Sequence, residues 1–564
     1  MTACSDRSAS RAADIVVVQP VAAGHLAIGT NLDGLAYWSP ALPVIDLVKA
    51  SGQWLPQSDA TYDTGEPVPR DARGWVTALP PGANYRRVHL NVLHNNPAAP
   101  PAARYVVLYS GRGTLSVATT GGAQVVENRP GRLLVQSAQD GTLSIDITTI
   151  DPADPLRDVH LIREDLLPRY EAGETFNPAF VEKIRPFHTL RFMDWMNTNT
   201  IFDKAGAPIT SEIGQRRAPQ LDWADRSRPE TMRWADGSRG VPVEALVELA
   251  NRTGAEPWFN MPINASDDYV RGFATYVRDH LDGRRRIHVE LSNEVWNFSF
   301  PQARYSERRA HETLGADVKW MEWYGKRTAE VGAIWNTVFG EAVRHDGNNP
   351  RGDPGRVLVV YNTQFGWQGL EDLGLNTEHW VDSAGNHVRA SDYFDEYAIT
   401  GYYDGTMNTP AVAGTVMSWW RDSDGGYGRA IAALRNRIAT FNAPYYVYHA
   451  RKAAENGLRL VTYESGFGEY TPPSQHQNQA YTTFLANLQR RPEFHELETA
   501  NYTAFKAAGG SLYMNFGIIG TPGKWGNWSA LEGVDQKTSP RYQALIDWIA
   551  ANPADGPHAA VAER

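Results

Sequence analysis

The chain has 564 residues, with 54 Lys and Arg against 64 Asp and Glu for a net charge of −10, a balance that argues against a general binder of phosphate backbones, whose affinity comes from cationic side chains. Charged residues at 21% and hydrophobic ones at 42% are the mixture of a folded globular protein, far from that of a disordered chain. At roughly 100 to 200 residues per domain the length predicts two or three domains, and no apolar run reaches the roughly 18 residues of a membrane-spanning helix.

Residues 1–20 read as a flexible lead-in. Cys4 is the single cysteine, which excludes an intrachain disulfide and any multi-cysteine zinc or iron–sulfur site. Its setting, Met-Thr-Ala-Cys-Ser, resembles the end of a bacterial lipoprotein signal. That resemblance implies a lipidated Cys4, membrane anchoring and an exported protein, periplasmic, cell-surface or secreted. An ordinary start followed by a Ser/Ala-rich terminus, with a cytoplasmic protein, is the other reading.

Residues 26–38 (LAIGTNLDGLAYW) predict a strand with a polar, Gly-rich end, followed by a helix at 43–50. From about Ala83 to Glu164 short segments alternate with period two, as in Val88, Leu90, Val92 and Leu143, Ile145, Ile147, broken by GRG, TGG and NRPG. This is the pattern of an antiparallel β-sandwich. Beyond it, strands are predicted near 189–195, 257–261, 286–293, 356–362, 396–402, 459–464 and 511–517. Helical stretches lie at 242–252, 267–281, 318–343, 427–456, 476–491 and 539–551. The stretch at 318–343 places Trp320, Trp323, Tyr324, Val331, Ile334, Trp335 and Val338 on one stripe, which predicts core packing.

Eight strands interleaved with helices predict an α/β fold, a (β/α)8 TIM barrel with an inserted antiparallel β-sandwich. The first βα unit spans 21–70, the sandwich 71–165 and the remainder of the barrel 166–552, with a frayed tail at 553–564. An open doubly wound sheet is disfavoured because no G-x-G-x-x-G follows the first strand.

Barrel enzymes place reactive groups at the C-terminal ends of strands. Two such ends carry a distinctive carboxylate: His288-Val-Glu290-Leu-Ser292-Asn293-Glu294-Val-Trp296-Asn297 on the fourth strand and Val461-Thr-Tyr463-Glu464-Ser-Gly466 on the seventh. Strand alternation predicts Glu290, Ser292 and Glu294 on the barrel's inner face, with Glu294 and Glu464 facing each other across the mouth. Glycosidic hydrolysis uses such a pair, one carboxyl protonating the leaving oxygen while the other attacks the anomeric carbon.

Glu-x-x-Asn-Glu on the fourth strand and Thr-x-Glu-x-Gly on the seventh resemble the signatures of glycoside hydrolase clan A, which includes the family 5 cellulases and mannanases. The resemblance implies a retaining enzyme without organic cofactor, acting on a poly- or oligosaccharide, with Glu294 as acid/base, Glu464 as nucleophile and Asn293 bonding the sugar 2-hydroxyl. It further implies that Arg191 pairs with the nucleophile and that a tyrosine ending the sixth strand, Tyr402 or Tyr403, bonds it. Ser-Asn-Glu-Val-Trp-Asn and the inserted sandwich depart from the family 5 layout, so the sugar is not assigned.

Trp525 and Trp528 in GKWGNW are candidate stacking surfaces, and Trp296 a candidate substrate contact. Asn31, Asp33, Asp194 and Trp195 also fall at strand ends, to hold hydroxyls or to cap loops. Glu290, below the rim, reads as a structural acid. The 15 histidines show no H-E-x-x-H spacing, and no catalytic metal is expected. A non-catalytic carbohydrate-binding protein is the alternative, and the paired glutamates speak against it; a lyase or metal-dependent hydrolase would need a Lys, His or metal cluster that does not stand out. Long loops at 196–241, 364–392 and 404–426 are expected to shape the substrate site.

Overall fold

The computed structural model describes residues 25–82, 84–94, 96, 98–118, 122–209, 218–341 and 355–553; Cys4 and the rest of the lead-in through residue 24, and residues 554–564 of the tail, lie outside the described residues. Eight parallel strands close into a barrel in chain order. They are β1 (Ala27–Asn31), β2 (Thr189–Arg191), β3 (Glu256–Met261), β4 (Ile287–Leu291), β5 (Val357–Asn362), β6 (Glu396–Tyr402), β7 (Arg459–Gly466) and β8 (Leu512–Asn515). The ring closes where β8 pairs with β1, Leu512 opposite Ala27. The strands are short, nearly continuous apolar runs because helices cover one face and the interior the other; every residue of β5 is buried. Inside the barrel Trp258, Val360, Val461 and Met514 share one buried cluster. Gly29 of β1 leaves space for that packing, since a Cβ there would collide with the Met514 sulfur and reach the Thr189 carbonyl at 2.8 Å.

Between β1 and β2 the chain forms two four-stranded antiparallel sheets. One contains Leu55–Gln57, Arg87–Leu93, Leu143–Ile150 and Gly113–Val117; the other contains Gln124–Arg129, Arg132–Gln136, Arg104–Ser110 and Arg157–Arg163. Val88, Leu90, Ile145 and Leu115 of the first and Val135 and Leu161 of the second belong to one buried cluster, as the alternation predicts; from Arg104–Ser110 it is Tyr105 and Val107 that join it, where the alternation through Val106 and Leu108 predicts the other face. Asp46, before the first sheet, accepts from the Leu161 amide at 3.2 Å and contacts His160 Nδ1 at 2.8 Å. The sheets begin earlier than residue 71, because Leu55–Gln57 already pairs with Arg87–Leu93. A three-residue strand with a central proline is too short to show alternation.

Several predicted elements contract. β1 stops at Asn31 and β2 at Arg191; beyond Arg191 the chain turns, with Met196 N donating to Phe192 O. The helix expected at 43–50 is one 3₁₀ turn, Leu47–Ala50, capped by Asp46. The long helix is Trp320–Phe339, ended by Gly340 at φ 69°. Trp323, Tyr324, Val331 and Trp335 are buried in the core, and Trp320, Ile334 and Val338 are partly buried and packed against it. Among the described residues no helix is long and apolar enough to cross a membrane.

Candidate active site

Arg191, the last residue of β2, is fully buried at the centre of the mouth. A guanidinium carries five N–H donors and no acceptor, and here all five are used. Nε and one terminal nitrogen fork onto Glu290 at 2.9 and 3.0 Å. The other terminal nitrogen reaches Asn31 Oδ1 and Glu464 Oε1, both at 2.9 Å, and the fifth N–H reaches Asn293 Oδ1 at 2.8 Å. The guanidinium also lies over the Trp258 and Tyr463 rings, 5.6 and 5.2 Å from their centroids.

Glu290 also accepts from Trp258 Nε1 at 2.7 Å and from Asn260 and Asn362 at 2.6 Å. Burial raises its carboxyl above the ordinary range and Arg191 opposes this. All its partners are donors, so a proton there would meet only N–H groups, and the geometry requires the ionised form. Saturated in this way, Glu290 anchors Arg191.

Glu464 lies above it, 5% exposed. Regular alternation would turn Tyr463 and Glu464 to opposite faces. The register between β6 and β7 shifts here, from Ile399 opposite Thr462 to Thr400 opposite Glu464. Tyr463 is the extra residue of this bulge, and a bulge re-aims side chains. Both residues therefore meet Arg191 inside the barrel. Glu464 Oε2 accepts from the Tyr402 hydroxyl at 3.1 Å. Burial raises its carboxyl, with Arg191 and then Tyr402 pulling it back.

Glu294 is presented differently from the alternation expected for 286–293. β4 ends at Leu291, and Ser292 and Glu294 take left-handed backbone angles, φ 61° and 40°, each at a cost of about 1–2 kcal/mol. Such strain persists where surrounding contacts hold it: Ser292 N donates to Met261 O at 2.7 Å, and its hydroxyl turns to Thr198 O. Glu294 accepts from Asn297 at 3.0 Å and from the Tyr463 hydroxyl at 3.3 Å, which itself accepts from Trp296 Nε1 at 3.1 Å. Burial first, and the Glu464 charge second, push its carboxyl up to about 8. The two carboxyls thus differ: among the described residues Glu464 touches a cation and Glu294 does not.

No family model and no curated protein matches this sequence. Solved structures similar to it include a 4-O-α-L-rhamnosyl-β-D-glucuronidase from Fusarium oxysporum 12S (10% identity, TM-score 0.36, covering 68% of this chain and 66% of that one). Xylanase 10B of Thermotoga maritima (10%, 0.32, 66% and 89%) and a broad-specificity endoglucanase of Clostridium acetobutylicum (12%, 0.28, 66% and 89%) are also similar. The fold rests on the strand pairing itself, and these distant likenesses add nothing to the site.

Of the remaining predicted residues, Asn31 accepts from Arg191 and donates to Tyr463 O at 2.9 Å. Tyr402 reaches Glu464, whereas Tyr403, the next residue, is buried in an apolar cluster with Met407 and Phe467; of the pair expected at this position, only Tyr402 enters the site. Asp33 is a loop clamp: its carboxylate accepts from the Ile518 and Ile519 amides at 2.7 and 2.9 Å and from Ser529 at 2.7 Å. Trp195 is core, 1% exposed and stacked on Phe176 and Phe180, with Nε1 spent on Asp33 O. Asp194 is half-buried, and burial and Asp236, with smaller contributions from Glu464 and Asp33, push its carboxyl well above the ordinary range. Trp528 is half-buried and edge-on to Phe516, which is edge-on to Tyr402. Trp525 is 67% exposed, against His476.

Sequence reasoning missed Asn199 and Gln302. Asn199 Oδ1 accepts from both Asn293 Nδ2 and Gln302 Nε2 at 3.0 Å, and Gln302 also donates to Asn293 O at 2.8 Å. Together they fix the Asn293 amide whose Oδ1 faces Arg191. Asn199 sits in a loop without periodicity and Gln302 on a surface helix, so nothing local marks them. Among the described residues no group of His, Cys, Asp and Glu is placed to hold a metal ion.

Proposed function

We propose that the chain is a retaining glycoside hydrolase, with Glu464 as nucleophile and Glu294 as acid/base. The observation that carries this reading is the unlike pair of carboxyls at one barrel mouth: one held by Arg191 and Tyr402, the other kept protonated up to about 8. Enzymes separate acid and base roles through such differences of environment.

In the first step Glu464 attacks the anomeric carbon while Glu294 gives its proton to the glycosidic oxygen; the C–O bond breaks and a glycosyl ester forms on Glu464. That ester is neutral. The Glu464 charge is one of the two forces holding the Glu294 proton, so esterification lowers the Glu294 pKa and readies it to take a proton from the incoming water. Water then cleaves the ester and restores both groups. Arg191 and Tyr402 meanwhile hold the attacking oxygens in place.

Glu294→Gln and Glu464→Gln should each remove most activity on a panel of polysaccharides and aryl glycosides while leaving the fold intact, and product anomers followed by NMR should show retention. Full activity in either variant rejects the assignment. Tight glycan binding with no product would favour the non-catalytic reading.

A further inference from the structure

Exposed tryptophan is uncommon, and its distribution here is uneven. Among the described residues the Trp side chains more than half exposed are Trp38 at 52%, Trp367 at 52% and Trp525 at 67%. Each lies in the loop that follows a barrel strand: β1, β5 and β8 respectively. In a closed eight-stranded ring β1 and β8 are neighbours, and β4 and β5 stand opposite them. The exposed indoles therefore mark two opposite poles of the mouth that contains Glu294 and Glu464.

The β4/β5 pole is built as a surface. Phe298, 36% exposed, packs edge-on to Trp320 with centroids 4.8 Å apart, and Trp320 meets Trp367 at 6.2 Å. Trp320 Nε1 donates to Val295 O at 3.0 Å, so the strip is tied to the residue after Glu294. Asn297, next to Phe298, donates to Glu294 itself. A lone exposed apolar residue needs no explanation, but a contiguous aromatic strip does, and an aromatic face with a wet edge suits a ligand that is apolar on one side and polar around its rim.

We propose that Phe298, Trp320 and Trp367 form the platform that holds the leaving-group side of a glycan chain, and that the chain crosses the mouth from pole to pole and is cut internally. The assignment of side rests on the glycosidase reading: the acid that protonates the leaving oxygen belongs to the same loop as Phe298. Stacking one sugar face on an indole removes of the order of 60 Å² of apolar surface from water, which corresponds to about tenfold in affinity.

The test starts from Glu464→Gln chains run in native gels cast with soluble xylan, galactomannan or mixed-linkage β-glucan. At least one polymer should retard the chain. Adding Trp367→Ala or Phe298→Ala should weaken that retardation about tenfold, whereas Val447→Ala, on an exposed residue of the helix Ala443–Glu455, should not. No retardation by any polymer, or equal retardation of all variants, overturns the platform. With Glu464 restored, Trp367→Ala should lower about tenfold the ratio of kcat/KM on the polymer to kcat/KM on the corresponding glycosyl fluoride, whose leaving group fills nothing on that side. An unchanged ratio, or release of single sugars without loss of viscosity, overturns internal cutting. The catalytic reading fails separately, if Glu464→Gln releases product as fast as the unsubstituted chain.

Discussion

Arg191→Lys isolates the geometry of the hub from its charge. A lysine ammonium offers three N–H donors where the guanidinium offers five, and a compact ammonium cannot fork onto Glu290 while spanning Asn31, Glu464 and Asn293. At least two of the five contacts at 2.8 to 3.0 Å must be lost. Each buried polar group left unmet costs about 1–3 kcal/mol, so the variant should lose about 2–6 kcal/mol of stability, a large share of the usual margin. The catalytic signature is separate. Arg191 is the main force opposing the effect of burial on Glu464, so displacing the cation raises the Glu464 pKa. Attack requires the ionised form, and activity should then be lost at a higher pH as pH falls. An opposite charge in contact lowers a carboxyl by about 1–3 units, and a misplaced ammonium should forfeit about one of them. Thermal melting and a kcat/KM profile across the acid range read both effects. A variant that melts like the wild type with an unmoved acid limb would refute the account of Arg191 as the hub.

Glu294 must carry its proton to act as acid, so activity should fall as pH rises through about 8; Tyr463→Phe removes a donor that favours the anion and should move this basic limb higher in the same pH profile. Tyr402→Phe deprives Glu464 of the hydroxyl at 3.1 Å, a hydrogen bond to a charged group, and should lower kcat/KM about tenfold or more in steady-state assays. At the barrel floor burial disfavours a charged His288, but Glu396 at 2.7 Å and Glu256 at 3.4 Å outweigh it and raise its pKa from 6.5 to about 9. That raised value stabilises the fold fully below about 6.5, and the contribution, about 2–4 kcal/mol, is lost as pH rises through about 9. Melting temperature should therefore decline across that window, and His288→Gln should flatten the decline.

The barrel is legible in the chain because its strands are buried on both faces and bounded by helical periodicity; runs such as VLVVYN at 357–362 allow few other structures. The inserted sheets are legible from alternation, except where Leu55–Gln57 is too short to alternate. Glu294 and Glu464 stand out as carboxylates at strand ends, but the way each is aimed does not. Alternation cannot foresee the bulge at Tyr463, nor that Ser292 and Glu294 leave the strand through left-handed angles. Tyr402 and Tyr403 are adjacent and chemically identical; only pairing in β6 separates the one facing Glu464 from the one facing Phe467. Asp33 and Trp195 look like site residues because they are polar or aromatic at strand ends, yet their partners, the Ile518 and Ile519 amides and the Phe176 and Phe180 rings, come from distant segments. Asn199 and Gln302 act only through Asn293, a contact no local pattern encodes.

The central claim is that Glu464 forms the bond to sugar. A 2-deoxy-2-fluoroglycosyl fluoride of the sugar that the panel identifies should trap that ester, because the fluorine at C2 slows both formation and hydrolysis while the departing anomeric fluoride speeds formation, so the ester accumulates. Peptide mass spectrometry should find a single label on the fragment containing Glu464, and none in Glu464→Gln. A label on Glu290, Glu294 or another side chain, or continued turnover with no labelled protein, would contradict it.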